Sequence, residues 1–301
     1  MKRFIAIGEA MLELSADAGN LWKMGISGDS LNTLWYARSA LPEDWQTAFV
    51  TAIGADDMSA RLPDFLSENG INTDRILIHP DRIIGLYAIQ LEEGERRFTY
   101  WRDNSAARCL AEDPDRLDQL IHGADLLYFS GISLAILPQA GRQTLLNAAA
   151  KIRQQGGRIA FDPNYRPALW ETPETARKTI QAAARLADYL LPSFEDEAAC
   201  FGDADPAATL DRYQAWGAAS IIVKNAGGPI QYLHAGQRGD SGPLPRQRPL
   251  DSTAAGDSFN GAFLAALLQG APILEALQAG HHMASRVIRH PGALIPLDQL
   301  G

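Results

Sequence analysis

The residues best suited to chemistry lie near the C-terminus, in the stretch Asp251-Ser252-Thr253-Ala254-Ala255-Gly256-Asp257. An apolar run over residues 259–268 follows and has the length and residue types of a buried helix, which places Asp257 at a helix N-terminus. Free backbone N–H groups and the positive end of the helix dipole favour an anion there. Small residues at 254, 255 and 256 leave room for that anion to approach the backbone.

Asp257 is the reactive side chain of this turn. A carboxylate would repel a bound phosphate, so it is poorly explained as a phosphate ligand. It is better suited to act as a general base that takes a proton from a hydroxyl while the N–H groups hold a phosphoryl group. The alternative is that Asp257 only caps the helix, and the residue types alone leave both roles open.

Other polar groups are predicted where strands end and helices begin. Gly28 allows close backbone approach before a helix that runs to about residue 40, and Asn32 presents an amide in its first turn. Arg166 follows a predicted strand in a loop that Pro163 and Pro167 restrain. Simple helix capping and a surface arginine are the respective alternatives.

The elements that must position these groups form two patterns. Strands alternate with helices from residue 125 to 223, which predicts an α/β fold with a doubly wound, mainly parallel sheet flanked by helices, in one domain over 1–301. Residues 11–26 and 84–102 instead predict short strands with turns at 17–20 and 92–95. They would make a small sheet that acts as a lid and excludes water. Tyr87, Tyr100 and Arg102 lie on or beyond them, and strand packing is the alternative for the tyrosines.

The stretch that ends at Asp257 resembles the C-terminal signature of the ribokinase-like (PfkB) carbohydrate kinases, with Ser252 where that family usually has Thr. Residues 25–32 are similar to the family's N-terminal sugar-binding motif, with Ser27 where many members have Gly. The resemblance implies a ribokinase-like fold with a β lid and a kinase that uses ATP and Mg²⁺. It also implies that Asp257 is the catalytic base and that the anion hole consists of Ala254, Ala255 and Gly256.

Two further loops resemble nucleotide-binding parts of the family. The segment Lys224-Asn225-Ala226-Gly227-Gly228 is similar to the loop that binds ATP, although a hairpin turn would also explain it. Ser193 and Asp196 stand where the family has an Asn-x-x-Glu motif that positions Mg²⁺ and phosphates, and the retained carboxylate makes Asp196 a candidate for an indirect Mg²⁺ contact. The implied ATP contacts are Ser193, Lys224, Gly227, Gly228, Ala255 and Gly256.

Residues 8–14, 28–33, 100–102 and 162–170 resemble the family members that phosphorylate the 6-hydroxyl of 2-keto-3-deoxygluconate with MgATP to give 2-keto-3-deoxy-6-phosphogluconate. The resemblance implies a sugar acid and ATP as small-molecule partners. A neutral-sugar kinase of the same family, such as a fructokinase or ribokinase, and a non-catalytic sugar- or nucleotide-binding regulator remain alternatives. The implied substrate contacts are Gly28, Asn32, Tyr87, Tyr100, Arg102, Arg166 and Asp257.

Composition excludes several other classes. The 301 residues carry a formal net charge of −9 and no run of basic residues longer than two, which argues against nucleic acid and anionic membranes as partners. Two cysteines are too few for a disulfide framework or a zinc site and are expected to be core residues. The N-terminal apolar run is too short for a signal peptide, so the cytoplasm is the expected location. We expect a homo-oligomer, while its size and any monovalent-cation requirement stay open.

Overall fold

A computed structural model describes residues 1–17, 21–92 and 95–300, so the predicted turns at 17–20 and 92–95 lie partly outside the described residues. The strands are β1 Lys2–Ile7, β2 Met11–Ala16, β3 Trp22–Ser27, β4 Trp45–Gly54, β5 Ile76–His79, β6 Gly85–Glu92, β7 Glu95–Trp101, β8 Leu126–Ser130, β9 Arg158–Asp162, β10 Tyr189–Leu190, β11 Ile221–Val223, β12 Gln231–His234 and β13 Gln237–Asp240. The helices are α1 Asp29–Ala40, α2 Asp57–Glu68, α3 Pro114–Ile121, α4 Gly131–Ala135, α5 Gln139–Gln154, α6 Pro173–Leu186, α7 Phe194–Phe201, α8 Pro206–Ala215, α9 Ala255–Leu268 and α10 Ile273–Val287.

The larger sheet of the described residues has nine strands in the order β13-β12-β11-β10-β9-β8-β1-β4-β5. Every neighbouring pair from β5 to β11 is parallel, and β12 and β13 add antiparallel strands at one edge. The predicted doubly wound, mainly parallel sheet is therefore confirmed. Its parallel strands end at a common edge, where β1 leads to Glu9, β9 to Asp162 and β11 to Lys224.

Helices cover both faces of this sheet. Successive residues of β1 alternate between the two hydrophobic cores, because side chains on a strand point to opposite faces. Phe4 packs in the core that contains Phe263 of α9, whereas Ile5 packs in the core that contains Leu145 of α5. A strand buried on both faces reads as a continuous apolar run, which is how these strands appear in the sequence. The two cysteines, Cys109 and Cys200, are buried and free, as expected.

The smaller sheet of the described residues is confirmed as separate from the larger one, with the order β3-β2-β6-β7. β2 pairs antiparallel with β3 and parallel with β6, and β6 pairs antiparallel with β7. In the β6–β7 register Tyr87 lies opposite Tyr100. Within the described ranges, we find no helix that is both long and apolar enough to cross a membrane.

Candidate functional site

The turn before α9 is held in shape by its own polar contacts. The Asp251 carboxylate accepts the Thr253 N–H at 2.9 Å through Oδ1 and the Gly292 N–H at 2.6 Å through Oδ2. Ala254 adopts a left-handed conformation with φ of 59°, a strained geometry for a residue with a side chain. The first α-helical hydrogen bond of α9 runs from Ser258 N to Ala254 O at 2.8 Å.

This geometry decides which amides can receive an anion. The Ala255 N–H donates to the Ser252 carbonyl at 3.2 Å and so closes the turn. The N–H groups of Gly256 and Asp257 precede the first helical hydrogen bond and have no acceptor within the helix. They are the donors that the start of α9 offers to a phosphoryl group.

Asp257 lies in the first turn of α9, as predicted, and is partly buried. Its Oδ2 accepts a hydrogen bond of 2.9 Å from Asn32 Nδ2. Burial raises the pKa of the Asp257 carboxyl to about 7, and the nearby Asp29 carboxylate acts in the same direction. The Asn32 hydrogen bond and the Lys224 charge oppose this rise. A carboxyl group that titrates near neutral pH can both accept and release a proton under physiological conditions.

Asn32 is oriented by the first turn of α1. Its Oδ1 accepts hydrogen bonds from Gly28 N and from Ser27 Oγ, each at 3.3 Å, which leaves Nδ2 to donate to Asp257. Gly28 is required here because a Cβ would lie 2.1 Å from the Glu9 carbonyl oxygen. A close backbone approach at Gly28 is therefore present as predicted, and the group that approaches it is the backbone of Glu9.

A buried polar network lies beside the start of α9. Lys224 Nζ donates to Asp162 Oδ2 at 2.6 Å and to Asn260 Oδ1 at 3.0 Å, and Asn260 Nδ2 donates to the same Asp162 oxygen at 2.6 Å. The side chains of Lys224 and Asp162 are only 10% and 4% exposed. A Cβ on Gly256 would stand 3.6 Å from Lys224 Nζ, which puts the ammonium next to the proposed anion hole.

The loop after β9 carries Asn164 and Arg166 to the same edge. Asn164 has a positive φ of 33°, and its Nδ2 donates to Asp29 Oδ2 at 3.0 Å. Arg166 is half-exposed and pairs with Asp196 at 2.9 Å, so these two sequence-predicted residues meet each other. Burial raises the pKa of Asp196, and the Arg166 charge opposes that rise.

The smaller sheet contributes an aromatic wall. The ring of Tyr87 lies 5.7 Å from that of Tyr100 and 6.3 Å from that of Phe98. Arg102, just beyond β7, donates to the buried Glu9 carboxylate and lies 5.8 Å from the Tyr100 ring. Burial raises the pKa of the Tyr100 hydroxyl, while the charges of both Arg102 and Arg166 oppose the rise. Arg102 extends from the end of the smaller sheet and Arg166 from the loop after β9, and both line one cavity together with Tyr100.

Two cavities meet at the start of α9. The first, here called the lid cavity, has a volume of about 350 Å³ and lies between the small sheet and the strand ends. The second, the glycine-loop cavity, has about 550 Å³ and is lined by Gly227 and Gly228. Both cavities are bounded by Ser193, Glu195, Lys224, Ser252, Ala255 and Gly256.

The sequence-predicted residues divide between these cavities as follows. The lid cavity is lined by all the predicted substrate contacts, by the predicted anion-hole residues and by Asp196. The glycine-loop cavity is lined by all the predicted ATP contacts. Lys224 lies at the boundary between the two cavities, and its ammonium group is held there by the buried ion pair with Asp162.

Several lining residues were missed by sequence reasoning. Glu9, Asp29 and Asn164 line the lid cavity, and Arg246, His281 and Ser285 line the glycine-loop cavity. The Nε2–H of His281, on α10, donates a hydrogen bond of 3.0 Å to the Pro245 carbonyl. Their positions in the sequence could have identified Glu9 and Asp29 as site residues, because Glu9 follows β1 closely and Asp29 begins α1.

This arrangement can transfer a group between the two cavities. A hydroxyl in the lid cavity would lie near a carboxyl of raised pKa, and a phosphate in the glycine-loop cavity would reach the free amides of α9. The N–H donors and Lys224 are positioned for the negative charge that moves during phosphoryl transfer.

Comparison with known proteins agrees with the fold. The sequence profile of the pfkB family carbohydrate kinases matches residues 1–300. A 2-dehydro-3-deoxygluconokinase of Dickeya dadantii is 36% identical over 306 residues, which covers 99% of this chain and 98% of that protein. A 2-dehydro-3-deoxygluconokinase of Haemophilus influenzae is 35% identical over 302 residues, which covers 98% of this chain and 96% of that protein.

Solved structures share the fold. A putative ribokinase II from Escherichia coli in complex with ATP and Mg²⁺ has a TM-score of 0.85 at 21% identity, covering 100% of this chain and 98% of that chain. A 2-dehydro-3-deoxygluconokinase from Thermotoga maritima has a TM-score of 0.86 at 19% identity, with the same coverage of 100% and 98%. Because the family profile matches nearly the full length and relatives above one-third identity cover almost the whole chain, the chain belongs to the pfkB family of carbohydrate kinases.

Proposed function

We propose that this protein transfers the γ-phosphoryl group of ATP to the 6-hydroxyl of 2-keto-3-deoxygluconate, also called 2-dehydro-3-deoxygluconate. The observation that carries the proposal is that Arg102 and Arg166 both line the cavity that also contains Asp257. The names of the two relatives at 36% and 35% identity support the same substrate.

Asp257 acts as the general base in this proposal. The O6–H proton moves to an Asp257 carboxylate oxygen as O6 forms a bond to the γ-phosphorus of ATP. The bond between the γ-phosphorus and its bridging oxygen breaks, and ADP leaves with that electron pair. The amides of Gly256 and Asp257 stabilise the phosphoryl oxygens, and Lys224 adds positive charge beside them.

The arginines decide between an acid and a neutral sugar. The lid cavity is lined by more carboxylates than cations, since Glu9, Asp29, Asp162, Glu195, Asp196 and Asp257 face Arg102, Arg166 and Lys224. An anionic substrate is therefore repelled unless it gains direct contacts with arginine. Arginine suits this task because its planar fork donates two parallel hydrogen bonds to a carboxylate.

The two arginines differ in how available they are. Arg102 is only 10% exposed and is already paired with Glu9. The Arg166 side chain is 49% exposed and uses Nη1 for its hydrogen bonds to the Tyr165 carbonyl and to Asp196 Oδ1. Arg166 can thus keep its bond to Asp196 and still offer its other nitrogens to a substrate. We assign Arg166 the main contact with the substrate carboxylate and Arg102 a supporting one.

ATP is proposed to occupy the glycine-loop cavity, with its phosphates at the boundary where Gly256 and Lys224 lie. Mg²⁺, when bound, neutralises phosphate charge, and carboxylate oxygens are the donors it prefers. Asp196 fits an indirect contact through Oδ2, because its Oδ1 is used by Arg166. A single domain, a homo-oligomer and a cytoplasmic location also stay proposals, as does a monovalent cation.

The test is a comparison of kcat/KM for 2-keto-3-deoxygluconate and for fructose on wild type, Arg166→Ala and Arg102→Ala. Arg61→Ala is the matched control, because Arg61 is exposed on α2 and lines neither cavity. One charge-assisted contact is worth about 1.5–3 kcal/mol, so Arg166→Ala should reduce the preference for the acid by roughly ten- to a hundredfold, mainly through KM, and Arg102→Ala should reduce it less.

Two results would overturn the proposal. An equal or higher kcat/KM for fructose on wild type would leave a neutral-sugar kinase of the same family. Failure of any sugar or sugar acid to stimulate ATP consumption would leave a binding protein without turnover.

A further inference from the structure

A third cavity, lined by polar residues, lies far from the lid at the opposite edge of the larger sheet. It has a volume of about 350 Å³ and is lined by residues from the starts of β1 and β4, the segment before β5, and α3. Arg3 of β1 stands beside Gln46 of β4 in the parallel register, so this is the edge where the parallel strands begin. We call it the arginine cavity, and its lining residues are Arg3, Gln46, Asn72, Asp74, Arg75, Arg116, Gln119 and Leu120.

The charge of this cavity is opposite to that of the protein as a whole. Three arginines line it and only one carboxylate, Asp74, although the chain carries a formal net charge of −9. The Asp74 carboxylate is itself hydrogen-bonded to Asn72 Nδ2 at 2.8 Å. A second carboxylate nearby, Asp125, accepts the Arg3 backbone N–H at 2.7 Å. Within the described ranges we find no salt bridge from Arg3, Arg75 or Arg116 to any carboxylate.

Capping of α3 explains only part of this cluster. Arg75 Nη1 donates to the carbonyls of Leu120 and His122 at the C-terminal end of α3, where a cation is favoured. The Nε of Arg3 is buried and has no hydrogen-bond partner among the described residues. Arg116 is exposed and makes one side-chain contact, from Nη1 to Gln119 Oε1 at 3.3 Å. Helix capping therefore leaves the donors of Arg3 and Arg116 unexplained.

The arginines also repel one another. Burial lowers the pKa of Arg75, the charge of Arg3 lowers it further, and Asp74 only partly opposes this. A cluster of like charges that the protein neutralises only in part is stabilised when an anion binds. The cavity volume lies at the lower end of the range for small-molecule sites, which suits a ligand about the size of phosphate or a small phosphate ester.

We propose that the arginine cavity binds a small dianion whose recognised group is a phosphate, supplied either as inorganic phosphate or by a phosphate monoester. Arginine forks match the oxygens of a phosphate, and three of them can surround one such group. The amides of Gln46, Asn72 and Gln119 add neutral donors around it. This site is independent of the function proposed above, because it shares no residue with either cavity at the start of α9.

Calorimetric titration of the full chain with inorganic phosphate, and separately with glycerol 3-phosphate, tests the proposal. A saturating non-hydrolysable ATP analogue is present throughout, so that the anion hole at α9 is filled. The variants are Arg116→Gln and Arg75→Gln, and Arg61→Gln is the control because Arg61 is an exposed arginine outside the cavity. Thermal unfolding of each variant without ligand verifies the fold.

We expect saturable binding of one or both probes, weakened roughly tenfold or more by Arg116→Gln and by Arg75→Gln and unchanged by Arg61→Gln. Binding of glycerol 3-phosphate alone would identify a monoester as the ligand, and binding of both would identify phosphate itself. Absence of saturable binding of either probe would overturn the proposal, as would binding that Arg116→Gln leaves intact. If Arg75→Gln does not fold, the binding measured for Arg116→Gln decides the test, because Arg116 is exposed and its substitution should not disturb the fold.

Discussion

Asn32 Nδ2 donates a hydrogen bond of 2.9 Å to Asp257 Oδ2 and so joins the first turn of α1 to the first turn of α9, across 225 residues of sequence. The bond orients the carboxylate and favours its charged form. Since Asn32 is held in turn by Ser27 and Gly28, the loop between β3 and α1 helps to set the proton affinity of Asp257.

Asp257→Asn should fold normally and bind both substrates but lose kcat by roughly a hundredfold or more, because the amide cannot accept the hydroxyl proton. Steady-state kinetics with separate binding measurements check this. Asp298→Asn, which alters an exposed carboxylate, is the control. A kcat within about tenfold of wild type would remove Asp257 from its role as base.

The value of kcat/KM should rise with pH through about 7 and level off above it. Burial and the Asp29 charge raise the pKa of Asp257 to about 7, and only the deprotonated carboxylate can act as a base. The lower pH limb is therefore set by Asp257 and should lie well above the ordinary aspartate value of 3.8. A limb near that ordinary value would contradict the structural assignment.

Asn32→Ala should move this limb to higher pH, because it removes a hydrogen bond that lowers the pKa of Asp257. Asn32→Asp should move it further, since a second carboxylate would face Asp257 directly. Asn69→Ala, which removes an asparagine contact at the end of α2, is the control. A purely structural role for Asn32 would lower activity and leave the pH profile in place.

Lys224→Met should lower the free energy of unfolding by about 3–5 kcal/mol, the scale for leaving a buried charge unpaired. The partner left behind is Asp162, which also holds Asn260. Urea unfolding measures the change, and Asp162→Asn added to the same chain should recover part of the loss. Lys178→Met, which breaks the exposed pair with Glu174, should change stability little. Equal effects of the two lysine variants would argue against a buried ion pair.

Activity should disappear in EDTA and return with added Mg²⁺, because the charge of the β- and γ-phosphates must be neutralised for transfer. Asp196→Asn should raise the Mg²⁺ concentration needed for half-maximal rate, whereas Arg61→Ala should not. Full activity in the chelator would exclude the proposed role of the metal.

Local sequence by itself determined the parts of this protein that depend on neighbours along the chain. Small residues followed by an apolar run set the start of α9 and put Asp257 in its first turn. Short apolar runs that alternate with helical segments predicted the mainly parallel sheet. Two short strand patterns on either side of a turn predicted β6 and β7 of the small sheet. These features follow from local propensity, burial pattern and turn chemistry, all of which can be read over a few residues.

Tertiary structure alone decided which charged groups meet. Arg166 pairs with Asp196, Arg102 with Glu9, and Lys224 with Asp162, and none of these pairs is close in sequence. The order of strands in the sheet brings the ends of β1, β9 and β11 to one edge. That order cannot be read from the hydrophobic pattern of any one strand or helix. The same holds for the raised pKa of Asp257, because burial and the approach of Asp29 arise only when α1 packs against α9.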